Sequence, residues 1–126
     1  MSAPPVSTPI GAYIHFPFCV RKCRYCDFNS GAASYKEREQ YLPALETEIA
    51  TKAARLSASD APTPHAIQRP ITTVYFGGGT PTVYEAREIV GVLQRLRDSF
   101  DIAPDAEITC EANPGTISGR SLAALR

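Results

Sequence analysis

The order of β-type runs and helical stretches constrains this 126-residue chain more than any other feature. "GAYIHF" (Gly11 to Phe16) is a short β-type run stopped by Pro17, and a cysteine-bearing loop follows it as far as "NSGAAS". Leu42, Leu45, Ile49, Ala53 and Leu56 then repeat at helical spacing, with Pro43 predicting either a helix start or a kink. "SASDAPTPHAIQRP" (Ser57 to Pro70) reads as a surface connection. "ITTVYF" (Ile71 to Phe76) is a second strand running into Gly77, Gly78 and Gly79. Thr82 and Glu85 have the spacing of a capping box before a helix carrying Ile89, Val90, Leu93, Leu96 and Phe100. "AEITCEAN" (Ala106 to Asn113) is a third strand, and Pro114-Gly115 turns the chain toward a last helix.

This is β-loop-α three times over, which predicts parallel strands joined by crossovers. Three units cannot close an eight-stranded barrel, so part of a barrel or of an open sheet is expected. In such folds chemistry collects beyond the C-terminal ends of the strands. All three unusual features lie there: the cysteines after the first strand, the glycines after the second, and Glu111 at the end of the third.

Composition narrows the classes. Hydrophobic residues make up 44% of the chain, which argues against disorder. Thirteen basic and thirteen acidic side chains cancel, so no bulk attraction to nucleic acid or anionic membrane follows. No apolar run is long enough to span a bilayer. "MSAPPVSTP" lacks the features of a secretion signal, which predicts a cytoplasmic protein and favours metal ligands over disulfides. Residues 1–10 are expected to be a flexible tail and 11–126 the N-terminal part of a longer domain. Ser118 could cap a helix whose apolar stripe begins with Leu122 and Leu125, and nothing stops it before Arg126. An isolated segment of this kind is expected to be poorly stable.

Cys19, Cys23 and Cys26 fall within eight residues, and thiolates suit iron–sulfur clusters and zinc alike. Three sulfurs can hold three irons of a four-iron cluster and leave one iron open. The zinc alternative takes His15 as a fourth ligand in a closed site. Cys110 alternates with Ile108 and Ala112 and reads as a small buried residue. "GGGTP" (Gly77 to Pro81) lets a ligand approach the backbone, leaving carbonyl or amide groups to recognise it. It is neither a Walker loop nor a dinucleotide fingerprint. Glu111 alternates with Glu107 and Thr109, a parity that can aim a carboxylate into a cavity or merely at nearby backbone. Tyr13 and His15 share one face of the first strand.

The Cys-x3-Cys-x2-Cys spacing, with Tyr25 just before the last cysteine, resembles the radical S-adenosylmethionine (SAM) superfamily. "YIHFPFC", "GGGTP" and "EANPGT" together resemble its coproporphyrinogen-oxidase-like branch, over the chain from about Gly11 to its end. The resemblance implies that Cys19, Cys23 and Cys26 bind a [4Fe-4S] cluster whose free iron takes the amino and carboxylate groups of SAM. It implies that Tyr13, Tyr25, Gly78, Gly79, Thr80 and Glu111 line the SAM site, with the glycine motif meeting the methionine amino group. The implied fold is α/β: the first three β/α units of a partial (β/α)6 TIM-like radical SAM barrel. Oxygen-independent coproporphyrinogen III oxidases carry a further cysteine two places after the third ligand, where this chain has Phe28. "CDFNS" resembles instead the HemW-type heme chaperones. The implied function is therefore heme binding and transfer to an acceptor protein, with heme ligands outside this chain; a homodimer is admitted. The alternatives are a porphyrinogen oxidase, which would use SAM-derived radical chemistry on propionate side chains, and, of another class, a zinc-binding interaction module.

Overall fold

A computed structural model describes residues 9–57 and 70–126. The expected surface connection falls almost wholly on residues 58–69, and most of the expected tail on residues 1–8; both stretches lie outside the described residues. Strand β1 (Ile10–Phe16) is followed by two short strands, β2 (Phe18–Cys19) and β3 (Gly31–Ala32), which close the cysteine loop, and by helix α1 (Tyr35–Ser57). Strand β4 (Ile71–Gly78), a 3-10 turn at Pro81–Val83 and helix α2 (Ala86–Ser99) form the second unit. Strand β5 (Ile102–Cys110), a 3-10 turn at Pro114–Thr116 and helix α3 (Gly119–Leu125) form the third.

The main sheet is parallel, in the order β1-β4-β5, as the alternation predicts. Its register aligns Tyr13 with Tyr75 and Thr109, and Ile14 with Phe76 and Cys110. Side chains alternate across a pleat, so each row faces one way. Ile14, Phe16, Val74 and Phe76 face the helices and join Leu45 and Ile49 of α1 with Ile89, Val92 and Leu96 of α2 in one core. Each such side chain, once fully buried, contributes roughly 1.5–3 kcal/mol of transfer free energy. Tyr84 clips the two helical units together by donating its hydroxyl to the Arg38 carbonyl at 3.0 Å, and burial pushes its phenol pKa up. The other face of the sheet carries Tyr13 and Tyr75, both exposed.

Four local expectations are corrected. Helix α1 does not begin at Pro43 but starts eight residues earlier, at Tyr35, and carries Pro43 within it. Ser34 caps it: the Glu37 amide donates to Ser34 Oγ at 3.3 Å, and Glu37 Oε2 accepts from the Ser34 amide at 2.8 Å. Pro43 is exposed, so the carbonyl its ring leaves without a helical donor can turn to water. The cap of α2 is Glu85 rather than Thr82, with Glu88 Oε2 accepting from the Glu85 amide at 2.7 Å. Thr82 instead sits in the 3-10 turn and shares a 2.6 Å hydrogen bond with Thr116. In α2 the core stripe is Ile89, Val92 and Leu96, while Val90 turns outward. Strand β5 starts at Ile102 and ends at Cys110, earlier at both ends than its alternation suggests. Pro104 lies where its register shifts, on an edge strand, a position in which a missing N–H is tolerated.

Candidate functional site

The C-terminal ends of β1, β4 and β5 meet the cysteine loop. That loop is held from within: Lys22 Nζ donates to the carbonyls of Phe28 at 2.9 Å and Ser30 at 2.8 Å. The Gly31 amide donates to Pro17 O at 2.9 Å, closing the loop at its base. A third tie comes from the sheet, where His15 Nε2 lies 2.9 Å from Asn29 O. A carbonyl only accepts, so Nε2 carries the proton and Nδ1 is the acceptor for the Tyr13 hydroxyl, 3.1 Å away. Both ring nitrogens of His15 are thus engaged, and ligation of a zinc ion by His15 would have to break one of these hydrogen bonds.

Cys19 and Cys26 are half-buried and Cys23 is exposed, all three as free thiols. Among the described residues, no three His, Cys, Asp or Glu side chains converge on a single ion. The donor set, all sulfur on one loop, fits a cluster. Tyr25 is 89% exposed, beside Cys23, whose hydrogen bond pushes its phenol pKa up. It stands on the cysteine loop, while the other residues expected to line the SAM site lie on or just past β1, β4 and β5.

Those other residues do come together. The Gly78 amide donates to Glu111 Oε2 at 3.1 Å, the Gly79 amide to Phe16 O at 2.7 Å, and the Thr80 amide to Phe18 O at 2.8 Å. Thr80 Oγ1 reaches the Cys19 sulfur at 3.5 Å. The glycine turn is therefore stitched to the cysteine loop on one side and to Glu111 on the other. With the amides of Gly78, Gly79 and Thr80 committed, carbonyl oxygen is what this part of the turn can still offer a ligand. Carbonyl oxygens suit a cationic donor such as an ammonium better than an anion.

Space explains the glycines. Gly78 has φ +117°, and a Cβ there would lie 2.6 Å from His15 Nδ1. A Cβ on Gly79 would lie 2.7 Å from Phe18 O and 3.0 Å from the Cys19 sulfur. Side chains here would drive β4 away from the loop. Glu111 is half-buried one residue past β5, and Tyr75 donates its hydroxyl to Glu111 Oε1 at 2.7 Å. Tyr75 also stacks on Tyr13, with ring centroids 6.0 Å apart and planes at 24°. Sequence reading missed Tyr75, although it alternates with Gly77 on β4 just as Tyr13 does with His15 on β1. Cys110, expected to be a small buried residue, is half-buried: it packs against the core, and burial raises its pKa.

Comparison with known proteins agrees with this geometry. The sequence profile of the Radical SAM superfamily matches residues 13–126. The heme chaperone HemW of Mycobacterium tuberculosis is 39% identical, with 98% of this chain and 30% of that protein aligned. HemW of Escherichia coli K12 is 37% identical over 86% of this chain and 26% of that protein. An oxygen-independent coproporphyrinogen III oxidase of Mannheimia haemolytica is 35% identical over 84% of this chain and 66% of that protein. Among solved structures, coproporphyrinogen III oxidase (HemN) from Escherichia coli, described as a radical SAM enzyme, superposes with a TM-score of 0.78 at 34% identity. That match covers 94% of this chain and 25% of the solved one. The chain spans less than a third of the HemW relatives it matches.

Proposed function

The chain belongs to the radical SAM superfamily, and from that premise we propose that it binds a [4Fe-4S] cluster and SAM as the N-terminal part of a heme chaperone. Cys19, Cys23 and Cys26 hold the cluster. Tyr13, Tyr25, Gly78, Gly79, Thr80 and Glu111 line the SAM site. When bound, cluster and SAM together supply the one-electron chemistry of this superfamily. The rest falls to the chain itself. Carbonyl oxygens of the glycine turn accept from the methionine ammonium, and Glu111 accepts from a further donor of the same ligand. Tyr13 and Tyr75 offer apolar surface that keeps water from the ligand. One observation carries this reading: the glycine turn is bonded to Glu111 through Gly78, to the end of β1 through Gly79 and to the cysteine loop through Thr80. Three sequence motifs thereby become one site.

The chaperone assignment within the superfamily rests on two supports. Phe28 stands where the resemblance to oxygen-independent coproporphyrinogen III oxidases would imply a further cysteine, and it is 67% exposed, outside the core. The HemW relatives are aligned over most of this chain. The protein would take heme as its ligand in the cytosol and pass it to an acceptor protein. A second reading, porphyrinogen oxidation, draws on the Mannheimia and HemN matches. Among the described residues, no helix is long and apolar enough to cross a membrane.

Full-length protein reconstituted without oxygen distinguishes the readings. It is expected to hold about four iron and about four sulfide per chain, to bind heme, and to leave coproporphyrinogen III unchanged. Vinyl products from coproporphyrinogen III would establish the oxidase instead. Zinc in place of iron would remove the cluster reading altogether.

A further inference from the structure

A carboxylate at the end of an edge strand has three side-chain torsions and, unrestrained, samples several rotamers. Glu111 is held at both oxygens, by the Gly78 amide on Oε2 and the Tyr75 hydroxyl on Oε1. The Gly78 amide follows from the turn. The Tyr75 hydroxyl is supplied by a side chain, and that side chain is itself held. Its ring stacks on Tyr13, whose hydroxyl bonds His15 Nδ1, and His15 Nε2 donates to Asn29 O in the cysteine loop. Position 77 leaves room for the arrangement: a Cβ on Gly77 would lie 2.7 Å from the Tyr75 ring and 3.1 Å from both Glu111 Oε2 and the Tyr13 ring.

We propose that Tyr75 is a positioning residue that sets the Glu111 carboxylate for ligand binding, through a relay of contacts running from the cysteine loop by way of His15 and Tyr13. This rests on the reading of Glu111 as a SAM contact. Tyr75 touches Glu111 and no reacting atom. With one lone pair on each oxygen already used inside the protein, the carboxylate presents its remaining lone pairs in a fixed orientation. Loss of the phenol proton donor frees that orientation while leaving the ring stack in place.

The test is the dissociation constant for SAM in full-length, cluster-loaded protein, measured for Tyr75→Phe, Glu111→Ala and the double variant. Tyr75→Phe is expected to weaken SAM binding by about threefold to tenfold with iron content and Tm unchanged. Glu111→Ala is expected to weaken it further, and the double variant to match Glu111→Ala alone, because the hydroxyl then has nothing to position. Gly77→Ala, which crowds both partners, is expected to mimic Tyr75→Phe. If Glu111→Ala weakens binding and Tyr75→Phe does not, the positioning role is overturned and the SAM reading stands. Additive effects in the double variant also overturn it. Unchanged affinity in Glu111→Ala overturns the reading of Glu111 itself, and the role of Tyr75 falls with it.

Discussion

Gly78 combines a φ of +117° with a neighbour, His15 Nδ1, that a Cβ would approach to 2.6 Å. Gly78→Ala is therefore expected to destabilise the protein by about 1–3 kcal/mol, read as a lower urea midpoint; an unchanged midpoint would mean that β4 and β1 can shift apart freely. The thiols divide in the same local terms. Cys23 stands exposed on the loop shared with Cys19 and Cys26, and two remaining thiolates are too few to hold a cluster. Cys23→Ala should abolish iron binding in reconstituted full-length protein. Cys110 packs against the core, and burial pushes its thiol pKa up, which disfavours the thiolate that a metal needs. Cys110→Ala should leave iron and sulfide content intact, and loss of either would return Cys110 to the site. The cysteines, the glycines and Glu111 could be singled out from residue type, spacing and place at the strand ends, but the SAM-binding roles expected of the glycines and Glu111 came from the family resemblance. Tyr75 was not singled out, because its role exists only once Glu111 lies beside it, 36 residues away in the chain.

At the scale of the element, the start of α1 makes a pH-dependent prediction. The two hydrogen bonds from Ser34 hold the Glu37 carboxyl below its usual pKa. A carboxyl depressed in the folded state adds stability above its unfolded pKa of about 4.3 and loses it as pH falls through the folded value. Ser34→Ala removes the cap and should cost about 1 kcal/mol at neutral pH. Urea unfolding at neutral pH and near pH 3 should show the difference between wild type and variant narrowing in acid. A difference that stays constant would show that Glu37 takes no part in the cap. The capping residues also show where element reading falters. Thr82-x-x-Glu85 and Glu85-x-x-Glu88 are both plausible starts for α2, and the local sequence does not rank them. The ranking came from Thr116, which draws the Thr82 hydroxyl into a tertiary hydrogen bond and leaves the cap to Glu85.

For the whole molecule, one face of the sheet is covered by α1 and α2, while large apolar side chains remain open at its far edge. Ile108 on β5 is 39% exposed and Leu122 on α3 is 54% exposed, and α3 contains no buried residue. Produced alone, residues 1–126 should bind an apolar fluorescent dye through this edge. Ile108→Thr with Leu122→Gln should reduce that signal and shift Tm by less than the roughly 4–8 °C that a loss of about 1 kcal/mol brings to a domain of this size. A larger drop would show that these side chains are packed in solution. The relatives aligned here are longer, the HemW proteins more than threefold.

The sequence by itself determined the β/α alternation, the parallel sheet and the clustering of unusual residues at the C-terminal ends of the strands. Those follow from period and residue type, which act over a few neighbours along the chain. Only the tertiary structure decided that both ring nitrogens of His15 are hydrogen-bonded, that the Gly78 amide is committed to Glu111, and that Glu111 is held by Tyr75. All but the Tyr13–His15 bond join residues 14 or more positions apart in the sequence. Hydrogen bonds depend on distance and direction within a few tenths of an ångström, and that information appears only when the strands have taken their register.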